Sequence, residues 1–412
     1  MQVSDQTRNL RSKANLFFVS LAFICLPLMA HAGGLGIAAV AAIAGFAALI
    51  TLPLPKLRDI GTWGLALTAF LAWAFISALW SPYEDPHTLS NPVKLFVGVG
   101  LFYAFDRGVK AASLRSARVL RTLVIGMLFA GLGLLLIDLL FPYAVTYWVD
   151  PIGADEHPIN KAGDILGNLG HAVAVYTLLV GFIVGLMSGR GRIGAMLSII
   201  FVIGLLVAAI SHGLAVGILG VLAAGAAMGL AKFWPRLTLI ALTTLGVLSI
   251  LAAPLMGFAA RAIGPDMKAK LPISWEHRVE MWNYILTKIA ERPVMGHGFD
   301  AVRTFNEMYI SRGLEFPYVS LHPHSAGLHI WVETGLIGAI LASITLTLIG
   351  VGGVKTARAR PELAGPLAGF AAAAIVICTV TFGVWQDWWW ASLVMVVSLR
   401  HFIPGKPKHL SM

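Results

Sequence analysis

A chain of 412 residues that is 58% hydrophobic and 12% charged, with 43 glycines, has the composition of an integral membrane protein. That balance excludes a cytosolic enzyme and a secreted module. A hydrocarbon core about 30 Å thick takes roughly 20 residues per helix, so a dozen crossings leave room for one small extramembrane subdomain and not two. The formal charge of +10 suggests a nucleic-acid partner only until each charge is assigned to a side of the membrane, and none is expected here.

Twelve hydrophobic segments follow one another near 14–32, 34–52, 61–80, 92–106, 119–141, 165–188, 193–210, 212–231, 237–257, 325–352, 363–383 and 386–400. Basic residues gather in alternate connections: Arg8, Arg11 and Lys13; Lys56 and Arg58; Arg107, Lys110, Arg115, Arg118 and Arg121; Arg190 and Arg192; Lys232 and Arg236; Lys355, Arg358 and Arg360; Arg400, Lys406 and Lys408. Only Asp5, Asp59, Asp106 and Glu362 accompany them, so the positive-inside rule puts these connections and both termini in the cytoplasm. The opposite face is acidic, and it receives every histidine except His401 and His409. Groups able to move protons therefore concentrate outside. Residues 8–32 also fit a signal peptide, with Ala30-His31-Ala32 as its cleavage site; the remaining topology survives either reading.

The expected fold is an all-α polytopic membrane protein of about twelve transmembrane helices with a long helical periplasmic loop between spans nine and ten. Its parts are spans one to nine over 1–257, the loop over 258–324, and spans ten to twelve with a cytoplasmic tail over 325–412. Cytoplasmic connections are too short for a nucleotide-binding domain, and the chain has no phosphate-cradling Gly-Lys-Ser/Thr loop. Cys25 and Cys378 both lie in apolar segments and read as packing residues.

Outer connections are uneven: a minor one around 81–91, a medium one over 141–164, and the 67 residues of 258–324. Length of that kind in a compact protein signifies function. Within it Trp275, Val279, Trp282, Leu286 and Ile289 recur at helical spacing, with Ser274 as N-cap, Glu276 in the first turn, and Pro293 and Gly296 at the exit. The helix should lie on the membrane interface or cap the bundle. Arg278 flanks its apolar stripe one turn from Trp282. It reads either as a bidentate phosphate ligand or as an interfacial snorkelling arginine.

The loop runs into span ten through Leu321-His322-Pro323-His324-Ser325-Ala326-Gly327-Leu328-His329-Ile330-Trp331-Val332-Glu333-Thr334-Gly335-Leu336-Ile337-Gly338. This stretch resembles the O-antigen ligase and polymerase superfamily, whose members carry a His and a polar residue, then Leu, an acidic residue and a Gly-hydrophobic-hydrophobic-Gly helix start. Arg278, Trp282, Glu291-Arg292-Pro293 and Gly296-His297-Gly298 are similar to the same family's Arg, Trp, Glu-Arg-Pro and Gly-x-Gly positions. The close match covers about 65 residues. The resemblance implies an inverting, metal-independent glycosyltransferase of the GT-C kind in the bacterial inner membrane, with no cofactor. It would take a polyprenyl-diphosphate-linked glycan as donor at the periplasmic face. The acceptor would be lipid A core in a ligase, or another lipid-linked glycan in a polymerase. His324 matches the family's essential histidine, a base for the acceptor hydroxyl, and Arg278 its loop arginine, a partner for the diphosphate.

The chain departs from the family at one place. Relatives carry a Ser-Arg-Gly-type motif between spans seven and eight, where a second arginine holds the donor diphosphate; here Ser211-His212-Gly213 stands. Either protonated His212 serves, or Lys94 or Arg261 takes the role, or the donor or activity differs. Further expectations attach to Asn168 and His171 at the start of span six, which resemble an Asn-containing stretch of the family and read equally as helix-packing polar residues. His322 and His324, with His297, could be metal ligands, although Pro323 and the missing carboxylate argue against it. Trp388, Trp389 and Trp390 read as an aromatic belt. The nearest alternative function is a polymerase on the same donors. A transporter or flippase is the different-class alternative, which would want midplane charge and repeated halves.

Overall fold

The computed structural model describes residues 5–84, 90–141, 144–149 and 158–405. Much of the expected 141–164 loop, the centre of the 81–91 loop, and Lys406 and Lys408 of the tail lie outside them. The helices are α1 (Asp5–His31), α2 (Leu35–Thr51), α3 (Leu57–Ser77), α4 (Ser90–Leu140), α5 (Ala144–Val149), α6 (Pro158–Met187), α7 (Gly191–Ser211), α8 (Ala215–Phe233), α9 (Pro235–Leu251), α10 (Pro254–Arg261), α11 (Pro265–Lys268), α12 (Ile273–Glu291), α13 (Ala326–Ala359), α14 (Ala364–Val380) and α15 (Asp387–Ser398). A two-stranded antiparallel hairpin, β1 (Met308–Ser311) and β2 (Leu314–Pro317), stands between α12 and α13.

The chain is an all-α polytopic membrane protein. Among the described residues eight helices are long and apolar enough to cross a bilayer, or nine if α9 and α10 form one broken span. All twelve hydrophobic segments are helical, but the fourth and fifth share α4, whose 51 residues break only at Ser116, amid the basic run Arg107 to Arg121. α2 and α15, of 17 and 12 residues, are the short members. The loop, expected to be helical from its apolar spacing, is so only in part. Arg312 and Gly313, with φ of 50° and 78°, turn it into the hairpin.

α6 is the most deeply buried long helix and packs against α7, α8 and α14; α1, α2, α4 and α15 form one flank, and α3, α9 and α13 the other. α15 runs alongside the first half of α4 and is pinned at both ends, by Lys94 to Asp387 at 2.9 Å and by Arg400 to Asp106 at 2.6 Å. The 66° bend between α9 and α10 has a local cause. Pro254 has no N–H for the Ile250 carbonyl, which accepts from Ala253 N–H at 3.2 Å and from the indole of Trp331 in α13 at 2.8 Å. The bend is thus keyed to the next long helix.

α13 is interrupted at Gly335, where φ is 64° and ψ −164°. An unbroken helix would bond Leu336 N–H to Val332 and Ile337 N–H to Glu333. Instead residues 293–298 take both ends: Leu336 and Ile337 donate to Pro293 and Val294 (2.9 and 3.3 Å), and His297 and Gly298 donate to Val332 and Glu333 (2.9 and 2.8 Å). A Cβ on Gly335 would sit 2.2 Å from the Val294 carbonyl oxygen, and one on Gly296 2.3 Å from Glu333 backbone. The Glu-Arg-Pro and Gly-x-Gly positions therefore splice the loop into the helix backbone. Gly335→Ala should cost at least about 2 kcal/mol, from a Gly-only conformation plus a backbone clash. A thermal melt of the purified variant matching the parent would refute this account.

Candidate functional site

The site is built on the C-terminus of α14. The last carbonyls of any helix lack intrahelical partners and carry its negative dipole end. The hydropathy reading ran this span to 383 and began the next at 386; α14 in fact stops at Val380 and α15 begins at Asp387. The consecutive carbonyls of Val380 and Thr381 are taken by side chains from the loop. Arg278 Nε donates to Val380 O at 3.2 Å, and His324 Nδ1 lies 2.7 Å from Thr381 O. Successive carbonyl oxygens are at most about 6 Å apart, so these two nitrogens lie within roughly 12 Å of each other.

Each side chain is locally fixed. Arg278 also donates from Nη1 to Ser274 O at 2.8 Å, and its guanidinium lies 5.4 Å from the Trp275 ring. Nη2 has no partner among the described residues, leaving the outer edge of the fork for an anion. Ser274, expected as the N-cap of α12, lies inside the first turn. The helix starts one residue earlier behind Pro272, whose fixed φ suits that place. The apolar stripe is as expected, with Val279, Trp282, Leu286 and Ile289 buried, but against protein: α12 packs on α10 and α13. Trp282 donates its indole N–H to Pro323 O at 3.0 Å and so holds the segment that presents His324.

A carbonyl can only accept, so His324 Nδ1 carries the proton and Nε2 keeps its lone pair. The backbone at His324 is left-handed, φ 49°, and its N–H donates to His322 Nδ1 at 3.2 Å. Burial first, then the Arg278 charge, pull the His324 pKa down to about 4 against the Thr381 bond. Burial likewise lowers Arg278 and, with the neighbouring histidines, pushes His322 well down. His322 accepts at Nδ1, so its proton sits on Nε2, which lies 3.4 Å from the Gln386 amide nitrogen. Gln386 Oε1 is buried without a partner. Rotating that amide by half a turn satisfies both groups, and we read it so.

Behind this group stands Glu333, fully buried in α13. It accepts from the backbone N–H of Asp300 (2.9 Å) and Val302 (3.1 Å) and from the indole of Trp385, and faces His329 Nε2 at 3.3 Å. Val384 N–H donates to His329 Nδ1 at 3.2 Å, which leaves Nε2 to carry the proton towards Glu333. One carboxylate thus joins α13, the loop at 300–302 and the 381–386 connector.

That connector is what sequence reasoning missed. It holds Arg278 and His324 through backbone carbonyls, which no side-chain pattern reports. Phe382 stacks on His171 at 5.2 Å and 19°, which brings His171 beside the site. His322 packs against Gly383, where a Cβ would fall 2.9 Å from its own. Lys94 reaches the start of α15 through Asp387. The remaining candidates lie elsewhere. Asn168 abuts the α1–α2 turn, 2.6 Å from where a Gly33 Cβ would fall. Arg261 bonds Asn283 across α10 and α12 at 3.1 Å. His212 caps α7, and the charge that it faces is Asp138 rather than Arg278 or His324; burial lowers its pKa against that pull. His297 bonds the Lys288 carbonyl at 2.8 Å, away from the other two histidines, and among the described residues no three His, Cys, Asp or Glu side chains could hold a metal ion. Trp388 and Trp389 are 2% and 3% exposed and face His171, Phe382 and Cys378, not lipid. Only a lipid-facing run could act as the belt expected of them, and the short α15 turns two of its three rings inward.

Comparison with known proteins bears on residues 170–343, which match the O-antigen ligase family. A Rickettsia felis protein provisionally named a polysaccharide ligase is 25% identical over 345 residues, 81% of this chain and 79% of that protein. A Rickettsia bellii protein of the same name is 29% identical over 133 residues, and there the match spans only 31% of this chain and 32% of the relative. An uncharacterized Haemophilus influenzae protein is 32% identical over 27% of the chain and 31% of its own length. The matched span reaches from the middle of α6 into α13 and contains both Arg278 and His324. By this domain and these relatives, the central part of the chain is similar to the O-antigen ligase family.

Proposed function

We propose that this protein is a polysaccharide ligase that moves a glycan from polyprenyl diphosphate to an acceptor hydroxyl, the acceptor being lipid A core, at the periplasmic face of the inner membrane. The observation that carries the reading is the placement of a neutral imidazole with a free Nε2 and a guanidinium with a free Nη2 on adjacent carbonyls at the end of α14. The acceptor oxygen attacks the anomeric carbon, its proton passes to His324 Nε2, and the bond to the diphosphate breaks with the electron pair leaving on the phosphate. A single displacement inverts the anomeric centre. Arg278 meets the charge that develops on the leaving group. Thr381 fixes the tautomer of the base, the service that a carboxylate performs in a catalytic triad. His212 and Arg261, engaged elsewhere, have no part in this mechanism.

A base with a pKa near 4 is weak in the empty site. The arriving diphosphate neutralises Arg278, the second cause of that depression, and raises the basicity of His324 when it is needed. Donor binding thereby arms the base.

Three outcomes follow. His324→Ala should lower kcat by about 10²–10⁴-fold with donor KM little changed, and cells carrying it should accumulate polymer unattached to lipid A core; unpolymerised repeat units would indicate a polymerase instead. Because His324 must be neutral to act, activity is lost as pH falls through its pKa. The acid limb of kcat/KM, which reports the free enzyme, should lie near pH 4 rather than 6.5, and Arg278→Gln should move it upward. A wild-type limb at 6.5 would remove the stated electrostatics. Finally, a cysteine at Arg312 should react with a membrane-impermeant maleimide in intact spheroplasts while one at Arg118 reacts only after lysis; the reverse pattern would invert the topology.

A further inference from the structure

Resting on the ligase reading, we propose that the β1–β2 hairpin and α12 form a binding track for the donor's glycan chain, selective for neutral or amino-bearing sugars over polyanionic ones. The track begins at His277, the residue before Arg278, whose Nδ1 lies 2.8 Å from the Tyr309 hydroxyl and whose ring is nearly parallel to that tyrosine's at 5.8 Å. Tyr309 stacks on Tyr318 (4.9 Å, 29°) and Tyr318 on Tyr284 (4.5 Å, 10°). Ring contacts therefore run from His277, next in the chain to the proposed diphosphate anchor, through the hairpin to Tyr284 on α12.

Beside it opens a cavity of about 490 Å³ lined by Glu280, Met308, Tyr309, Ile310, Glu315 and Tyr318. That lies within the roughly 300–1,000 Å³ of small-ligand sites. Aromatic faces accept the C–H faces of sugar rings, phenols donate and accept, and carboxylates accept from sugar hydroxyls. Glu280 is partly neutralised by Lys268 at 2.6 Å, whereas Glu315 is exposed with no ion-pair partner among the described residues. A chain of uronates or phosphates would meet that charge unfavourably.

The hairpin is held for this purpose. Ser311 donates its hydroxyl to Glu276, and Arg312 pairs with the same carboxylate at 2.7 Å and with Leu271 O at 2.7 Å. These bonds fix the strand that carries Tyr309 to the helix that carries Arg278.

The test uses the full protein in nanodiscs, with lipid-linked glycan extracted from the producing cells and separated into single-repeat and polymer fractions. Glu315→Lys, an exposed substitution, should raise KM for polymer donor about tenfold and that for the single-repeat donor clearly less; Glu315→Gln should do less to both. The same glycan, freed from its lipid by mild acid, should bind wild-type and His324→Ala protein saturably, read by tyrosine fluorescence, and bind Glu315→Lys about tenfold more weakly. Equal KM shifts for both donor lengths, or no saturable binding of the freed glycan to wild type, overturns the track. Turnover that is indifferent to chain length removes the track and keeps the ligase. Binding of freed glycan without any transfer keeps the track and removes the ligase.

Discussion

A helix that ends inside a membrane protein leaves carbonyls that water cannot reach freely, and each must find a donor or cost about 1–3 kcal/mol. α14 stops at Val380, and its last carbonyl and that of its C-cap Thr381 find theirs in a guanidinium and an imidazole supplied by a loop some 55 to 100 residues earlier in the chain. This one requirement orders that end of the bundle. It draws the start of α12 to the bundle, sets the tautomer of His324, and keeps a cation at the negative end of a helix dipole. Structural satisfaction and the proposed chemistry use the same bonds.

The loop can meet that requirement because it is spliced into α13. The exchange of backbone bonds around Gly335 makes residues 293–298 part of the helix, and buried Glu333 collects donors from the loop, from Trp385 and from His329. With the carboxylate in the middle, an error at any of these partners would be felt by the others. That is the low-dielectric penalty for a half-satisfied polar network. The family's acidic and glycine positions are best understood as this scaffold, with the reacting groups mounted on it.

Hydropathy made the helices legible, since every apolar segment is helical, whereas charge alternation yields only an expectation of sidedness. Arg278 and His324 were legible through their motif context. The rest was hidden for physical reasons. A backbone carbonyl carries no residue signature, so the 381–386 connector passed for the frayed ends of two spans. The Trp388 run has the composition of a lipid belt but packs inward because α15 is short and pinned to α4 at both ends. The hairpin's strands are four residues each, too brief for an alternation to stand out beside a 19-residue amphipathic helix. Conversely His212, the apparent stand-in for a missing arginine, belongs to a neighbourhood of its own with Asp138, which only three-dimensional proximity reveals.

The side-by-side mounting of Arg278 and His324 also bears on how the site resets. In the proposed reaction, once the imidazole has taken the acceptor's proton, two cations share a half-buried corner whose only fixed countercharge among the described residues is the fractional one at the end of α14. That pair is tolerable while the cleaved diphosphate remains and intolerable once it goes. The leaving lipid phosphate, itself a base, is the nearest exit for the proton. Under the proposed reaction, product departure and base regeneration would then become a single event, and the cycle would return to a neutral histidine without a proton path through the membrane interior.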